Sequence, residues 1–392
     1  MPAARIFLSA GEASGEHYGA SLVPAIRRLV PDAEFFGLGG RRMEAVGFRP
    51  IVRAEDVAVM GITEVLLHMP RIYDEYRRLK AVIRQQRPDL AILIDFPDVN
   101  LSLAKRLKGA GVPVLYLVSP QIWAWKKYRI RDVQRYVDRM LVIFPFEEPF
   151  YRDHNVQATF VGHPLADLPL PAVTRQAFAS ENRLDPSKQW IGLLPGSRAK
   201  EVRHNLPEML KAAQALSQSN SYEFLLPLAS TLTAAQRAQV RATLPPDPKI
   251  TVTDDARATL HHARASIVAS GTATVEAALI GNPFVVVYRV SPVSYAVARR
   301  VVNVPHVAMA NLIAGRRAVP ELIQSDFTAR NLVSQLEPLL NDEAVRTAMQ
   351  TSLREISDKL KVEGASDETA IGRTAAVASQ MLHPNKFLHE LS

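Results

Sequence analysis

Ile6-Phe7-Leu8-Ser9-Ala10-Gly11-Glu12-Ala13-Ser14-Gly15-Glu16-His17 decides how the chain is read. A short continuous apolar run passes into a loop of Gly, Ser and Glu, and an amphipathic helix is expected from about Glu16. A run without polar alternation suits a strand buried on both faces, as in a parallel sheet covered by helices. The same unit recurs at Leu90–Ile94, Val114–Val118, Met140–Phe144, Ile191–Leu194, Phe224–Leu226, Ser266–Ala269 and Phe284–Tyr288. Strands alternating with helices imply βαβ crossovers and open parallel sheets. About seven such units precede Gly162 and about six follow Pro186. Between them the Pro-rich stretch Leu165-Ala166-Asp167-Leu168-Pro169-Leu170-Pro171 breaks the pattern and reads as a linker.

The expectation is therefore an α/β protein of two Rossmann-like doubly wound domains facing a cleft. Residues 1–167 form the first domain and 168–365 the second. Ser366–Ser392 is expected to pack back on the first domain as a crossover helix, or to exchange between protomers in a homodimer. Two domains also suit 392 residues, which exceed one typical core. Ligands of such sheets bind beyond the carboxyl ends of the strands, so the chemistry should sit on the loops that follow them.

Composition narrows the function classes. There is no cysteine, so disulfides and thiolate metal sites are excluded. The ten His show no metal-ligand spacing, and no metal is expected. The first apolar run is too short for a signal peptide, and no stretch approaches a membrane span, which predicts a cytoplasmic protein. The net charge of +8, from 47 basic and 39 acidic residues, suits anionic partners such as nucleotides, phosphorylated lipids, an acidic membrane surface or nucleic acid, or else reflects no specific partner. The apolar stretch Val65–Met69, followed by Arg71, Arg77, Arg78 and Lys80, reads either as an interfacial helix or as an ordinary core helix.

Several loops carry chemistry-bearing residues. Glu12 stands ahead of the first helix, where Ser14 is the expected cap and Glu16 a first-turn acid favoured by the helix dipole. Two carboxylates follow the fourth run in Asp95-Phe96-Pro97-Asp98. Asn100 alone can cap a helix from Leu101, which leaves the Asp pair for general-base work. Ser119-Pro120-Gln121-Ile122-Trp123-Ala124-Trp125-Lys126-Lys127-Tyr128-Arg129 sets two of the three Trp beside bases. The aromatic rings could stack on a sugar and the bases could meet phosphates, or the Trp could be core beside a solvated basic helix start. In the second domain, Pro195-Gly196-Ser197-Arg198, ahead of a helix expected near Arg203, reads as a diphosphate clamp through Ser197 and Arg198. Ser270-Gly271-Thr272-Ala273-Thr274-Val275-Glu276 places Gly271 and Thr272 at a helix start suited to an anion, with Glu276 one turn inside for the hydroxyls of a ribose. A Thr272 capping box would put its acid at Val275, so it does not account for Glu276. His306, Asn311, Pro320, Glu321 and Gln324 cluster in a late loop region that patterning alone does not rank.

Taken in order, these segments resemble the lipid-A-disaccharide synthases. The matching stretches include Ala10-Gly11-Glu12-Ala13-Ser14-Gly15, Gly37-Leu38-Gly39-Gly40, Val59-Met60-Gly61, Asp95-Phe96-Pro97-Asp98, Trp123-Ala124-Trp125 and Phe144-Pro145-Phe146-Glu147. They continue through Val161-Gly162-His163-Pro164, Leu194-Pro195-Gly196-Ser197-Arg198, Ala269-Ser270-Gly271-Thr272, Asn311-Leu312 and Pro320-Glu321-Leu322-Ile323-Gln324. The resemblance implies a B-type glycosyltransferase that joins UDP-2,3-diacylglucosamine to 2,3-diacylglucosamine 1-phosphate without a cofactor, at the cytoplasmic face of the inner membrane. No nucleic-acid partner is expected. It implies Asp98 as general base, Glu12, Arg198, Glu276 and Asn311 as activity-critical positions, and Glu321 and Gln324 as substrate-binding. The chain departs from the family's usual pattern at Glu16, where Asp is usual, and at Met309-Ala310, where Leu-Pro is usual. The second departure would loosen the loop that holds Asn311. Another UDP-sugar enzyme of the same fold (a peptidoglycan N-acetylglucosaminyltransferase or a UDP-sugar 2-epimerase) and a non-catalytic UDP-sugar-binding protein are the alternatives.

Overall fold

A computed structural model describes residues 3–54, 62–218, 222–302, 304–364 and 368–383. The motif Val59-Met60-Gly61 lies outside them, and so do the side chains of 62–72, on which the interfacial reading of Val65–Met69 rests.

The described chain divides into two compact units. One holds the residues up to Asp167 together with those from Leu360 onward. The other is Leu168–Lys359. In the first, seven parallel strands run in the order β3-β2-β1-β4-β5-β6-β7. They are β1 Arg5–Ala10, β2 Glu34–Gly39, β3 Arg49–Arg53, β4 Leu90–Ile94, β5 Val114–Leu117, β6 Arg139–Val142 and β7 Ala158–Phe160. In the second, six parallel strands run β10-β9-β8-β11-β12-β13. They are β8 Gln189–Leu194, β9 Tyr222–Pro227, β10 Ile250–Thr253, β11 Ala265–Ala269, β12 Phe284–Tyr288 and β13 Glu321–Ile323. Helices fill the crossovers. Every residue of β4 is fully buried, as are most of β1, β11 and β12. Each such Leu, Ile or Val contributes about 1.5–3 kcal/mol through burial. That is why these strands read as unbroken apolar runs.

In each sheet the strand order reverses once. β1 pairs with both β2 and β4, and β8 pairs with both β9 and β11. Neighbouring strands whose crossovers leave in opposite directions open a crevice at their carboxyl ends. The loops there are Gly11–Glu12 and Asp95–Phe96 in the first unit, and Pro195–Arg198 and Ser270–Gly271 in the second.

The return into the first unit comes at Leu360 rather than at Ser366. Leu360 is buried, and its carbonyl accepts from the N–H of His163 at 2.8 Å. Asp167 Oδ2 then accepts from the N–H of Ala370 at 2.7 Å. The helix Ala370–Leu382 packs on the helix Ala13–Leu29, and Arg373 donates to the carbonyl of Val161. Among the described residues no helix is long and apolar enough to cross a membrane.

Candidate active site

At the reversal point of the first sheet the helices begin earlier than the capping pattern predicts. The first runs from Ala13, not from near Glu16. Glu12 is its N-cap residue, its carbonyl accepting from Glu16 N–H at 2.8 Å, and Ser14 lies inside the first turn. Glu16 reaches across to take the N–H of Arg42 at 2.8 Å, so it braces the loop after β2. The loops after β1 and β4 touch, because a Cβ on Gly11 would stand 2.3 Å from the Phe96 ring. Only glycine fits there.

The helix after β4 starts at Pro97, not Leu101, and Asn100 is not its cap. Asp95 and Phe96 are both left-handed, with φ of 48° and 49°. Non-glycine residues adopt that conformation at a cost of order 1–3 kcal/mol, met by the surroundings. Here fully buried Asn100 supplies the bracing. Its Nδ2 donates to the carbonyls of Ile94 and Asp95 at 3.1 and 2.7 Å, and its Oδ1 accepts from Ser9 Oγ at 2.6 Å. Tyr116 donates to the same Asp95 carbonyl at 2.7 Å. This strained turn presents Asp98, in the first turn of its helix, to solvent.

Asp98 is ion-paired with Arg129, and Lys126 Nζ stands 3.6 Å from the same oxygen, Oδ1. Partial burial would raise its pKa, but the hydrogen bond and charge of Arg129, joined by Lys126, outweigh this and hold the carboxyl below its ordinary value. It stays ionised at neutral pH and is a mild base.

The Trp-containing loop after β5 is anchored from beneath by a group to which the sequence reading gave no role. Glu147, 1 % exposed, accepts from Trp123 Nε1 at 3.1 Å and from the N–H of Phe144 at 3.2 Å. Burial drives its pKa up to about 8 against those hydrogen bonds. Phe146 packs edge-on against Trp123, and the Ser119 and Tyr151 hydroxyls share a 2.7 Å hydrogen bond. The signal available was Phe144-Pro145-Phe146-Glu147, an acid among aromatics straight after a buried strand. Trp123 is thus half-buried and held, whereas Trp125 is exposed with Lys126 Nζ 4.3 Å from its ring centre.

In the second unit the helix after β8 begins at Ala199, not near Arg203, with Arg198 as N-cap residue. Glu201 Oε2 accepts the N–H groups of Ser197 and Arg198 at 2.9 and 3.2 Å. These amides are already engaged by the Glu201 carboxylate, whose other oxygen stands 3.6 Å from the Arg198 guanidinium. The helix after β11, Thr272–Ile280, differs. Its N-cap is Gly271 at φ 146°, and no side chain caps it. Thr272 is its first residue rather than its cap, and it is exposed. Thr274 turns its hydroxyl back to the Gly271 carbonyl at 2.8 Å. A helix start left uncapped by side chains favours anions through its N–H groups and dipole. Glu276 is half-buried one turn in, its pKa raised by burial.

The late cluster positions backbone. Asn311 is fully buried, and all its amide capacity is internal. Nδ2 donates to Val319 O and Glu321 Oε1 at 3.0 and 2.8 Å, and Oδ1 accepts from the N–H groups of Ala318 and Val319. Expected at a ligand, it instead holds Glu321. The flanking Met309 and Ala310 are buried in the same short helix, so the segment is packed rather than loose. Glu321 accepts the N–H groups of Val307 and Ala308, and the Val307 carbonyl accepts from Ser270 Oγ at 3.3 Å. Glu321 therefore fixes the loop beside the anion-binding helix start. Gln324, left-handed at φ 52°, donates to the Val290 carbonyl at 3.2 Å. His306 is half-buried.

A cavity of about 540 Å³ in this unit is lined by Arg175, Trp190, His262, Arg264 and Asn282, at the amino ends of β8, β11 and β12. It lies at the other end of the sheet from these loops. Arg175 and Arg264 spend their guanidinium groups there on backbone carbonyls.

The sequence profile of the family described as lipid-A-disaccharide synthetase matches residues 6–373. The lipid-A-disaccharide synthase of Acidobacterium capsulatum is 66% identical, covering 97% of both chains, and that of Koribacter versatilis 52%, covering 95% of this chain and 97% of its own. Among solved structures, the S. aureus MnaA–UDP co-structure aligns over 97% of each chain with TM-score 0.66 at 12% identity. The calicheamicin glycosyltransferase CalG4 aligns over 98% of this chain and 100% of its own with TM-score 0.58 at 16% identity. At such identities these two show the shared fold alone. By profile and by full-length identity, the chain belongs to the lipid-A-disaccharide synthetase family of glycosyltransferases.

Proposed function

We propose that the enzyme condenses UDP-2,3-diacylglucosamine with 2,3-diacylglucosamine 1-phosphate, giving a β(1→6)-linked disaccharide 1-phosphate and UDP by a single displacement with inversion. The observation that carries this is the placement of acid and anion-binding groups at the reversal points of two separate sheets. A carboxylate stands in the first and an uncapped helix start in the second.

Asp98 takes the proton of the acceptor's 6-hydroxyl. The hydroxyl oxygen bonds to the donor's anomeric carbon as the bond from that carbon to the diphosphate breaks, and the electron pair leaves with UDP. Both cation contacts of Asp98 go to Oδ1, so Oδ2 is the oxygen suited to the hydroxyl. The leaving diphosphate meets the N–H groups at Gly271–Thr272 and the Arg198 guanidinium, with Ser197 in the same loop. Donors fixed in advance for developing charge supply a few kcal/mol each. Glu276 holds the ribose hydroxyls, Asn311, Glu321 and Gln324 keep the surrounding backbone in place, and Glu12 orients the acceptor. The acylated substrates suit an enzyme that works at the cytoplasmic face of the inner membrane, with Val65–Met69 as the contacting stretch. A homodimer is the proposed assembly.

UDP release in mixed micelles containing both lipids and EDTA tests this. Acceptor-dependent release is expected. Asp98→Asn lowers kcat by about 10²- to 10⁴-fold, the usual worth of a positioned base, with UDP affinity intact. Release without acceptor, or a variant that loses UDP binding along with turnover, overturns the assignment.

A further inference from the structure

Lys126 and Arg129 hold more positive charge at the first reversal point than Asp98 uses. Arg129 is largely sequestered, its side chain 13 % exposed, yet its guanidinium ends on a carboxylate that is 68 % exposed. Lys126 has a left-handed backbone, φ 52° and ψ 41°, which a lysine adopts only under constraint. Its ammonium group lies over the Trp125 ring, beside Asp98. The 3₁₀ turn Lys127–Arg129 swings Arg129 onto the same oxygen. Two cations thus converge on one carboxylate oxygen from a loop anchored below by Trp123 and Glu147. Lys127 and Arg131, on the same stretch, are not among the ion-pair partners of Asp98.

We propose that Lys126 and Arg129 seat the anomeric phosphate of the acceptor sugar while Asp98 addresses its hydroxyl. The inference rests on the reading of the preceding subsection and assigns the acceptor's phosphate within it. A guanidinium carries five N–H donors in a planar fork, and an ammonium carries three. The contacts to Asp98 and Tyr128 leave donors of both kinds for phosphate oxygens. Two cations less one carboxylate leave a net positive seat, which suits a phosphate monoester. One sugar ring then spans from phosphate to hydroxyl, so the charges that fix the phosphate also fix the attacking oxygen against Oδ2. The arrangement also couples binding to basicity. A seated phosphate shares the positive charge that otherwise weakens Asp98 as a base, so the base strengthens when the correct acceptor is in place.

The test compares kcat/KM for 2,3-diacylglucosamine 1-phosphate with that for the same lipid carrying a neutral 1-O-methyl group. It uses the full-length wild type, Lys126→Ala, Arg129→Gln and Arg129→Lys. The wild type should favour the phosphorylated acceptor. Lys126→Ala and Arg129→Gln should each reduce that preference by about 10- to 100-fold, the worth of one charged hydrogen bond. The loss should fall on KM for the phosphorylated lipid, with UDP affinity kept, and Arg129→Lys should regain part of it. An unchanged preference in both truncated variants overturns the proposal, and so does a wild type that does not discriminate. A parallel loss of UDP affinity also overturns it, since the cations would then serve the donor. If Arg129→Gln does not fold, Lys126→Ala decides alone. A wild type that turns over neither acceptor sinks the functional reading itself.

Discussion

Glu147 should make the first unit less stable as pH rises. Its carboxyl is buried, and its pKa stands at about 8 against an ordinary 4.5. With the folded value above the unfolded one, the unfolded chain loses its proton first. The stabilisation is full below about pH 4.5, declines above it, and is spent by about pH 8. Integrating the two titrations between pH 5.5 and pH 8 gives a loss of about 3 kcal/mol, at 1.4 kcal/mol per unit of separation. For a unit of this size that is about 6–12 °C in melting temperature. Glu147→Gln removes the titration. The measurement is the melting temperature of wild type minus variant, taken at pH 5.5 and pH 8. The wild type should lose more than the variant over that interval. A difference that does not change with pH would show that Glu147 is ionised throughout, and that Trp123 and the Phe144 amide compensate its burial.

Three further outcomes follow from the geometry. Asn311→Ala deletes four internal hydrogen bonds at a fully buried position. It should cost roughly 2–4 kcal/mol in urea unfolding, from unsatisfied groups and a cavity, and a loss of UDP affinity without a stability change would contradict its bracing role. His163 is buried, accepts the N–H of Leu165 on Nδ1, and has its pKa lowered to about 3 by burial. Its neutral ring stabilises fully above about pH 6.5 and loses that contribution as acid brings the pH down toward 3. An NMR titration of this ring near pH 6.5 in the folded protein would refute the assignment. Glu276→Gln should weaken UDP by about tenfold through the loss of a charged acceptor and leave 2′-deoxy-UDP less affected. Equal losses for both nucleotides would remove Glu276 from the ribose.

The strands that were legible were those covered on both faces. β4, β11 and β12 read as unbroken apolar runs because no face meets water. β2 did not stand out although it is buried, because Gly37 and Gly39 break its apolar run, and β3, β7, β10 and β13 did not because they are short and lie at the sheet margins, with partly exposed residues. Helix starts were misplaced in one consistent direction. At Glu12, Phe96 and Arg198 the residue in the cap position is not a usual capping type, so the capping pattern pointed three or four residues downstream. Those early starts put the first turn of each helix directly at the strand end, where the crevice opens. The sequence pointed to Asp98, Gly271 and Glu276 through their places after buried strands. It did not separate Asn311, whose amide is consumed inside the fold, from residues with capacity to spare. Glu147 carried no loop signature, because its side-chain partner Trp123 comes from a loop distant in sequence.

The first unit is not one continuous piece of chain. Its last described helix is Ala370–Leu382, and Asp167 and Val161 find hydrogen-bond partners in Ala370 and Arg373. During synthesis the first-made sheet therefore waits for residues made after the whole second unit, while Leu168–Lys359 is a contiguous stretch. The usual order, in which the amino-terminal domain folds first, is inverted in its final step. A fragment ending at Asp167 would leave the face of the helix Ala13–Leu29 bare, so the amino-terminal half should be less stable as a free-standing piece. A chain cut short before Ala370 would strip packing from its first domain rather than from its second.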